Sequence, residues 1–113
     1  VAPENDILLP ARVAAPSLTA AGLAAWLFLH DGREQEAAEC SELQDLIEGA
    51  LQRGQSEVGV PRPVAARAVE LWEAAAELAE TWASRSDRPK QAAEWRSHAE
   101  RLRVRAASVR KLL

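Results

Sequence analysis

The constraint that bears hardest on this chain lies in its last fifty residues, Val64 to Leu113. Apolar residues recur there on a three-four spacing in two runs: Val64, Ala68, Leu71, Ala75, Leu78 and Trp82, then Ala92, Trp95, Ala99, Leu102, Ala106, Val109 and Leu113. Such spacing puts each run on one face of an α-helix, as a heptad seam that has to be covered. Between them, Ser86-Asp87-Arg88-Pro89 breaks the pattern with turn-forming residues and a proline. Folding the second run back about that break sets the rows in one register, with Trp82 beside Ala92, Leu78 beside Trp95, Ala75 beside Ala99, Leu71 beside Leu102, Ala68 beside Ala106 and Val64 beside Val109. Facing alanines bring the two backbones close, and the large residues between them fill the remaining space. The spacing predicts an antiparallel helical hairpin over about 63–84 and 89–113.

Upstream, Pro3, Pro10 and Pro16 remove backbone donors and push their preceding residues toward extended conformations. Residues 1–16 therefore read as an extended N-terminal arm, laid along the body by Ile7, Leu8, Leu9 and Val13. Ser17 suits the N-cap of a first helix running to about His30. That helix carries Leu23, Trp26, Leu27, Phe28 and Leu29 around its whole circumference, so it has to be surrounded, by the other helices or by a second copy of the chain. A homodimer is the expectation. A second helix follows, opened by Asp31 with Glu34 or, if it starts late, by Ser41 with Gln44, both at capping-box spacing. Its stripe is Cys40, Leu43, Ile47 and Ala50, its other faces are acidic, and Gly54 is placed to stop it. Gln55 to Pro63 reads as a stiff connector. The third helix bears a second apolar row, Ala65, Val69, Trp72, Ala76, Ala79 and Ala83, and two rows need two neighbours. The fold class is all-α: a four-helix assembly over 17–113, a single domain, with the third helix as hub and the fourth on the outside.

Alanine abundance and the scarcity of β-branched residues agree with an all-α chain. The longest apolar run, Leu18 to Leu29, is about a dozen residues where a bilayer span needs roughly twenty, so no membrane partner is expected. With Cys40 as the one cysteine, no internal disulfide forms, and a cytoplasmic setting fits best.

The net charge of −3 conceals a division along the chain. Residues 1–84 hold 14 acidic and 5 basic side chains, a balance of −9, and residues 85–113 hold 3 acidic and 9 basic, a balance of +6. Such a split serves pairing between helices or marks a face for an anionic partner. Arg96, Arg103 and Arg110 stand seven apart along one flank of the final seam, with Arg103 expected near the Trp72 indole for cation–π stacking. Arg101, Arg105 and Lys111 add to the basic helix.

Catalysis has little support. Nucleophilic chemistry needs a base in reach of its nucleophile, and Cys40 falls in an apolar stripe where cysteine behaves as a small hydrophobe. His30 with Glu34 and Glu94 with His98 have helical spacing, but neither supplies the three or four ligands a zinc site uses. No phosphate-binding glycine loop is present, so no cofactor and no metal are expected. The residues point to a non-enzymatic protein-interaction module, adaptor or regulatory. Its partner would be a macromolecule, most simply an acidic protein, and Arg96, Arg103, Arg110, Arg101, Arg105, Lys111 and Trp26 are the candidate contact residues. The alternative is a nucleic-acid-binding regulatory protein using the basic final helix, with affinity gained from counterion release.

Overall fold

A computed structural model describes residues 5–113 of the chain. Its order is β1 (Asp6–Pro10), α1 (Ala11–His30), α2 (Glu34–Gln52), β2 (Glu57–Pro61), α3 (Arg62–Arg85) and α4 (Pro89–Arg110). The protein is largely all-α, and a small two-stranded ribbon is added to the four expected helices.

The ribbon is made from the arm and the connector. β1 and β2 run antiparallel, with Ile7 opposite Val60 and Leu9 opposite Val58. These four side chains point inward and are buried, and Leu8 between them stays exposed, the period-two alternation of a half-buried strand. The extended arm is thus present over Asp6–Pro10 and lies along the body; residues 1–4 fall outside the described residues. The connector turns out to be a strand because Val58 and Val60 each gain a buried cross-strand partner.

α1 begins at Ala11, six residues before the expected cap at Ser17. Pro10 ends β1 in an extended conformation (φ −63°, ψ 155°), and the Ala11 N–H, an orphan donor of the first turn, donates to the Ser56 carbonyl at 3.0 Å. Pro16 is therefore inside the helix, where it forfeits the backbone bond to the Arg12 carbonyl. The ribbon's anchor, the strong helix formers around it and the burial of Ala14, Ala20 and Ala21 outweigh that loss. At the other end Asp31 closes α1, its N–H on the Leu27 and Phe28 carbonyls at 3.1 Å, and Gly32 follows at φ +78°. Asp31 consequently does not cap α2. The N-cap of α2 is Arg33, with no side-chain cap bond, and Asp31 instead faces the Arg33 guanidinium at 3.2 Å. α2 runs unbroken past Ser41 and stops at Gly54 (φ +76°), the glycine placed there by the sequence.

α3 and α4 form the antiparallel hairpin. Ala68, Leu71 and Ala75 of α3 and Ala92, Ala99, Leu102, Ala106 and Val109 of α4 are buried along the seam. The turn is held by Ser86, whose Oγ accepts from the Arg88 N–H at 3.3 Å before Pro89 opens α4. Trp72 is buried on the second row of α3, as a two-neighbour helix requires.

The hub is shared. α3 touches the other helices and both strands, and so does α1, against which α2 lies along most of its length. α2 and α4 flank α1 on opposite sides and scarcely meet, so α1 is the middle of three helices with α3 behind it. The result is an elongated body of 52 × 25 × 24 Å. Starting at Ala11 makes α1 20 residues, long and apolar enough to cross a bilayer. Here one side of it is buried against three other helices, through Ala21, Ala24, Leu27 and Phe28.

The alanine layers carry a direct test. Ala99→Leu forces extra volume into the closest approach of α3 and α4 and is expected to cost about 1–3 kcal/mol. Urea denaturation reads this as a lowered midpoint, whereas Ala93→Leu, on the exposed side of the same helix, changes stability by less than about 0.5 kcal/mol.

Candidate interaction surface

The two flanks of α4 are used differently. On the α3 side, Arg103 forks onto the Glu80 carboxylate, with Nη2 donating to Oε2 at 2.8 Å, and Arg110 donates to Glu73. Both the arginines and the glutamates are seven residues apart, so the pairs repeat in phase along the hairpin. Hydrogen bonding from Arg103 holds the Glu80 carboxyl below its usual range, and Glu80 in turn raises the Arg103 guanidinium. The expected stacking of Arg103 on Trp72 does not form. Helical side chains slant toward their own N-terminus, so in an antiparallel pair Arg103 reaches toward the C-terminal half of α3 and meets Glu80, while Trp72 is buried. Arg96, the third arginine of this flank, is exposed; its charge adds to the lowering at Glu80.

On the α1 side the helix presents His98, Arg101 and Arg105. They rim a depression of about 300 Å³ whose other wall is Pro16, Thr19 and Leu23 of α1. Among the described residues no carboxylate lies within ion-pair distance of Arg101, Arg105, Arg96 or Lys111. The spacing of His98, Arg101 and Arg105 is that of one helical stripe; Arg101 and Arg105 are among the contact residues expected from the sequence, and His98 joins them here.

At one end of this seam the aromatic side chains converge. Trp26 stacks on His30 at 5.7 Å and on Trp95 at 5.8 Å between ring centroids. Trp82 meets Trp95 edge-on at 5.0 Å and His30 at 5.5 Å, and His98 meets Trp95 at 5.9 Å. Three of the four tryptophans and both histidines therefore share one cluster, which no single helix pattern foretells because each comes from a separate turn of α1, α3 or α4. Trp26 nevertheless remains 50 % exposed, and Leu29 beside it 61 %. His98 is partly buried, and its Nδ1 has no partner among the described residues. Desolvation, and then the Arg101 charge, lower its pKa, against a smaller opposing effect of Glu94.

The outward stripe of α1, from Arg12 through Ala15 and Thr19 to Trp26 and Leu29, thus has a basic neighbour on its α4 side. On its other side is α2. Gln44 lies against Gly22, where a Cβ would come within 3.0 Å of its Nε2. Glu48, one turn from Gln44, and Asp45 are exposed; Glu48 accepts from the Gln52 Nε2 at 3.4 Å, and neither carboxylate has an ion-pair partner among the described residues.

Cys40 is elsewhere. It is 2 % exposed, on the floor of an apolar groove of about 320 Å³ between α2 and α3, with Leu43, Leu46, Val64 and Leu71. Burial pushes its thiol up to about 12, and neither histidine lines that groove. Arg67 spans the rim to Glu39 at 3.1 Å. Among the described residues no three His, Cys, Asp or Glu side chains gather as metal ligands would. No family model matches the chain, and no match to it was found among curated proteins or solved structures.

Two outcomes follow from these contacts. Reversing Arg103 and Arg110 to glutamate is expected to lower the urea midpoint, and adding Glu73→Lys and Glu80→Lys to recover it; compared at a protein concentration low enough to keep every variant monomeric, the same reversals at Arg101 and Arg105 leave the midpoint nearly unchanged. The lowered His98 pKa means that between it and the unfolded value of 6.5 the unfolded chain binds more protons than the native one. Stability from this residue is accordingly complete above pH 6.5 and falls as the pH drops through that window. In His98→Gln that part of the urea-midpoint profile is expected to flatten, leaving the loss at lower pH due to Glu80.

Proposed function

We propose that this chain is a non-enzymatic helical interaction module, adaptor or regulatory, that binds a macromolecular partner, a protein in the first instance, and self-associates. One observation carries the reading: the outer face of α1 exposes Trp26 and Leu29 toward one end, and further along the same helix, beside Pro16 and Thr19, it is flanked by Arg101 and Arg105, cations without an ion-pair partner among the described residues. An exposed aromatic anchor on a face flanked by unmatched charge is what protein interfaces are built from, and Arg101 and Arg105 would steer acidic groups of the partner toward it. A buried Cys40 with a raised pKa, apart from both histidines, supports the non-enzymatic part. The free thiol suits a reducing, cytoplasmic setting.

A nucleic-acid reading draws support from the same Arg101 and Arg105, together with Arg96 and Lys111. It is the weaker of the two because Arg103 and Arg110 are engaged by Glu80 and Glu73, and because the acidic α2 beside α1 would repel a polyanion.

A photo-crosslinking amino acid placed at Leu29, and as control at exposed Glu77 on α3, separates these readings in cells making the full chain. Protein adducts from Leu29 and none from Glu77 are expected. Nucleic-acid adducts in their place would favour the second reading, and a bare Leu29 would overturn both.

A further inference from the structure

The identity of the occupant follows from charge. We infer that the outer face of α1 receives a second copy of this chain, with the two α1 helices parallel about a two-fold axis and the acidic side of each α2 over the basic flank of the other copy's α4. The inference rests on the interaction-module reading and names the partner of that same face.

Past Arg12 at its start, the face is uncharged along its middle, from Ala15 and Thr19 to the exposed Trp26 and Leu29, and oppositely charged along its two sides. Arg101 and Arg105 stand on the α4 side, Asp45 and Glu48 on the α2 side, and none has an ion-pair partner among the described residues. A uniformly acidic peptide would satisfy Arg101 and Arg105 but set its charge against Asp45 and Glu48. An anionic membrane surface meets the same conflict. A copy of the face itself carries both signs, and the two-fold axis decides which side meets which. An axis across α1 makes the helices antiparallel and lays α2 on α2, acid on acid. An axis along α1 makes them parallel and lays each α2 on the partner's α4, acid on base.

The levels agree as well. Gly22 is level with Gln44 on α2, and the depression on the other side sets Pro16, Thr19 and Leu23 against Arg105, Arg101 and His98. Glu48, one turn from Gln44 in a helix antiparallel to α1, therefore lies near the level of Leu18, which is where α4 presents Arg101 and Arg105. Parallel α1 helices keep those levels in step, so Asp45 and Glu48 of one copy fall opposite Arg101 and Arg105 of the other. Trp26 and Leu29 meet their counterparts near the axis. The strip is about 30 Å long for a 20-residue helix. Spread across a body 25 Å wide, it offers on the order of 700 Å² per copy, close to the roughly 800 Å² of a standard stable interface.

Sedimentation velocity over a range of concentrations is expected to show a dimer whose dissociation constant rises about tenfold or more in Trp26→Asp and in Leu29→Asp, with helical circular dichroism unchanged. Asp45→Lys with Glu48→Lys, or Arg101→Glu with Arg105→Glu, should each give monomers, and mixing the two variants should restore a heterodimer. Orientation is read from single cysteines in a Cys40→Ser background: with a short bis-maleimide, Ala15→Cys alone and Leu29→Cys alone should each crosslink to themselves. Crosslinking only in a mixture of the two would show an antiparallel pair and overturn the inference, because those positions lie about 21 Å apart along α1. A monomer at every concentration, or a dimer indifferent to both Leu29→Asp and the charge reversals, would also overturn it. If such a monomer still yields protein adducts from Leu29, the module reading stands and only the second copy is lost.

Discussion

The close approach of α3 and α4 is the constraint on which the other features turn. Alanines buried along both seams set the backbone separation, and the layers of Leu71, Leu102 and Val109 between them fill what the alanines leave. Once the two helices are that near, two of the three arginines beside the seam come within reach of a glutamate on α3. Arg103 and Arg110 reach Glu80 and Glu73 because slanting side chains on antiparallel helices lean toward each other. What is left over on α4 is the opposite flank, His98, Arg101 and Arg105, and that flank is the one laid along α1.

α1 is then the piece that makes a domain of the hairpin. Its inward side is buried by α2, α3 and α4, and its start is pinned by the β1–β2 ribbon, which joins the residues leading into α1 to those leading into α3. The price is a proline in the second turn, tolerated because the backbone there loses one bond and not a helix. Its outward side is the part the remaining helices cannot reach, which is why an all-round apolar helix ends with Trp26 and Leu29 in solvent.

The hairpin, its break and the burial of Trp72 could be read from periodicity, because a strict three-four spacing admits few alternatives. The stop at Gly54 was equally legible. The ribbon was not, since Ile7 and Leu9 become strand residues only when Val58 and Val60, some fifty positions away, pair with them; Ile7-Leu8-Leu9 is apolar throughout and shows no alternation, and Val58-Gly59-Val60 is too short to weigh alone. The early start of α1 was hidden by Pro16, whose effect on a helix depends on how firmly the preceding turn is anchored. Of the candidate contact residues, Trp26, Arg101 and Arg105 do share one face, while Arg103 and Arg110 sit across the helix from it. Charge spacing along a single helix locates a flank, and only the neighbouring helices decide whether its charges are already matched.

The groove beneath Leu46 and Val64 gives the molecule a built-in gauge of its own breathing. α2 is fastened along α1 and only lightly along α3, and the thiol of Cys40 lies under that lighter seam, neutral at physiological pH. At 2 % exposure the thiol offers a reactive label little surface until α2 lifts away. The labelling rate of the unmodified protein would therefore report the free energy of that partial opening, distinct from global unfolding.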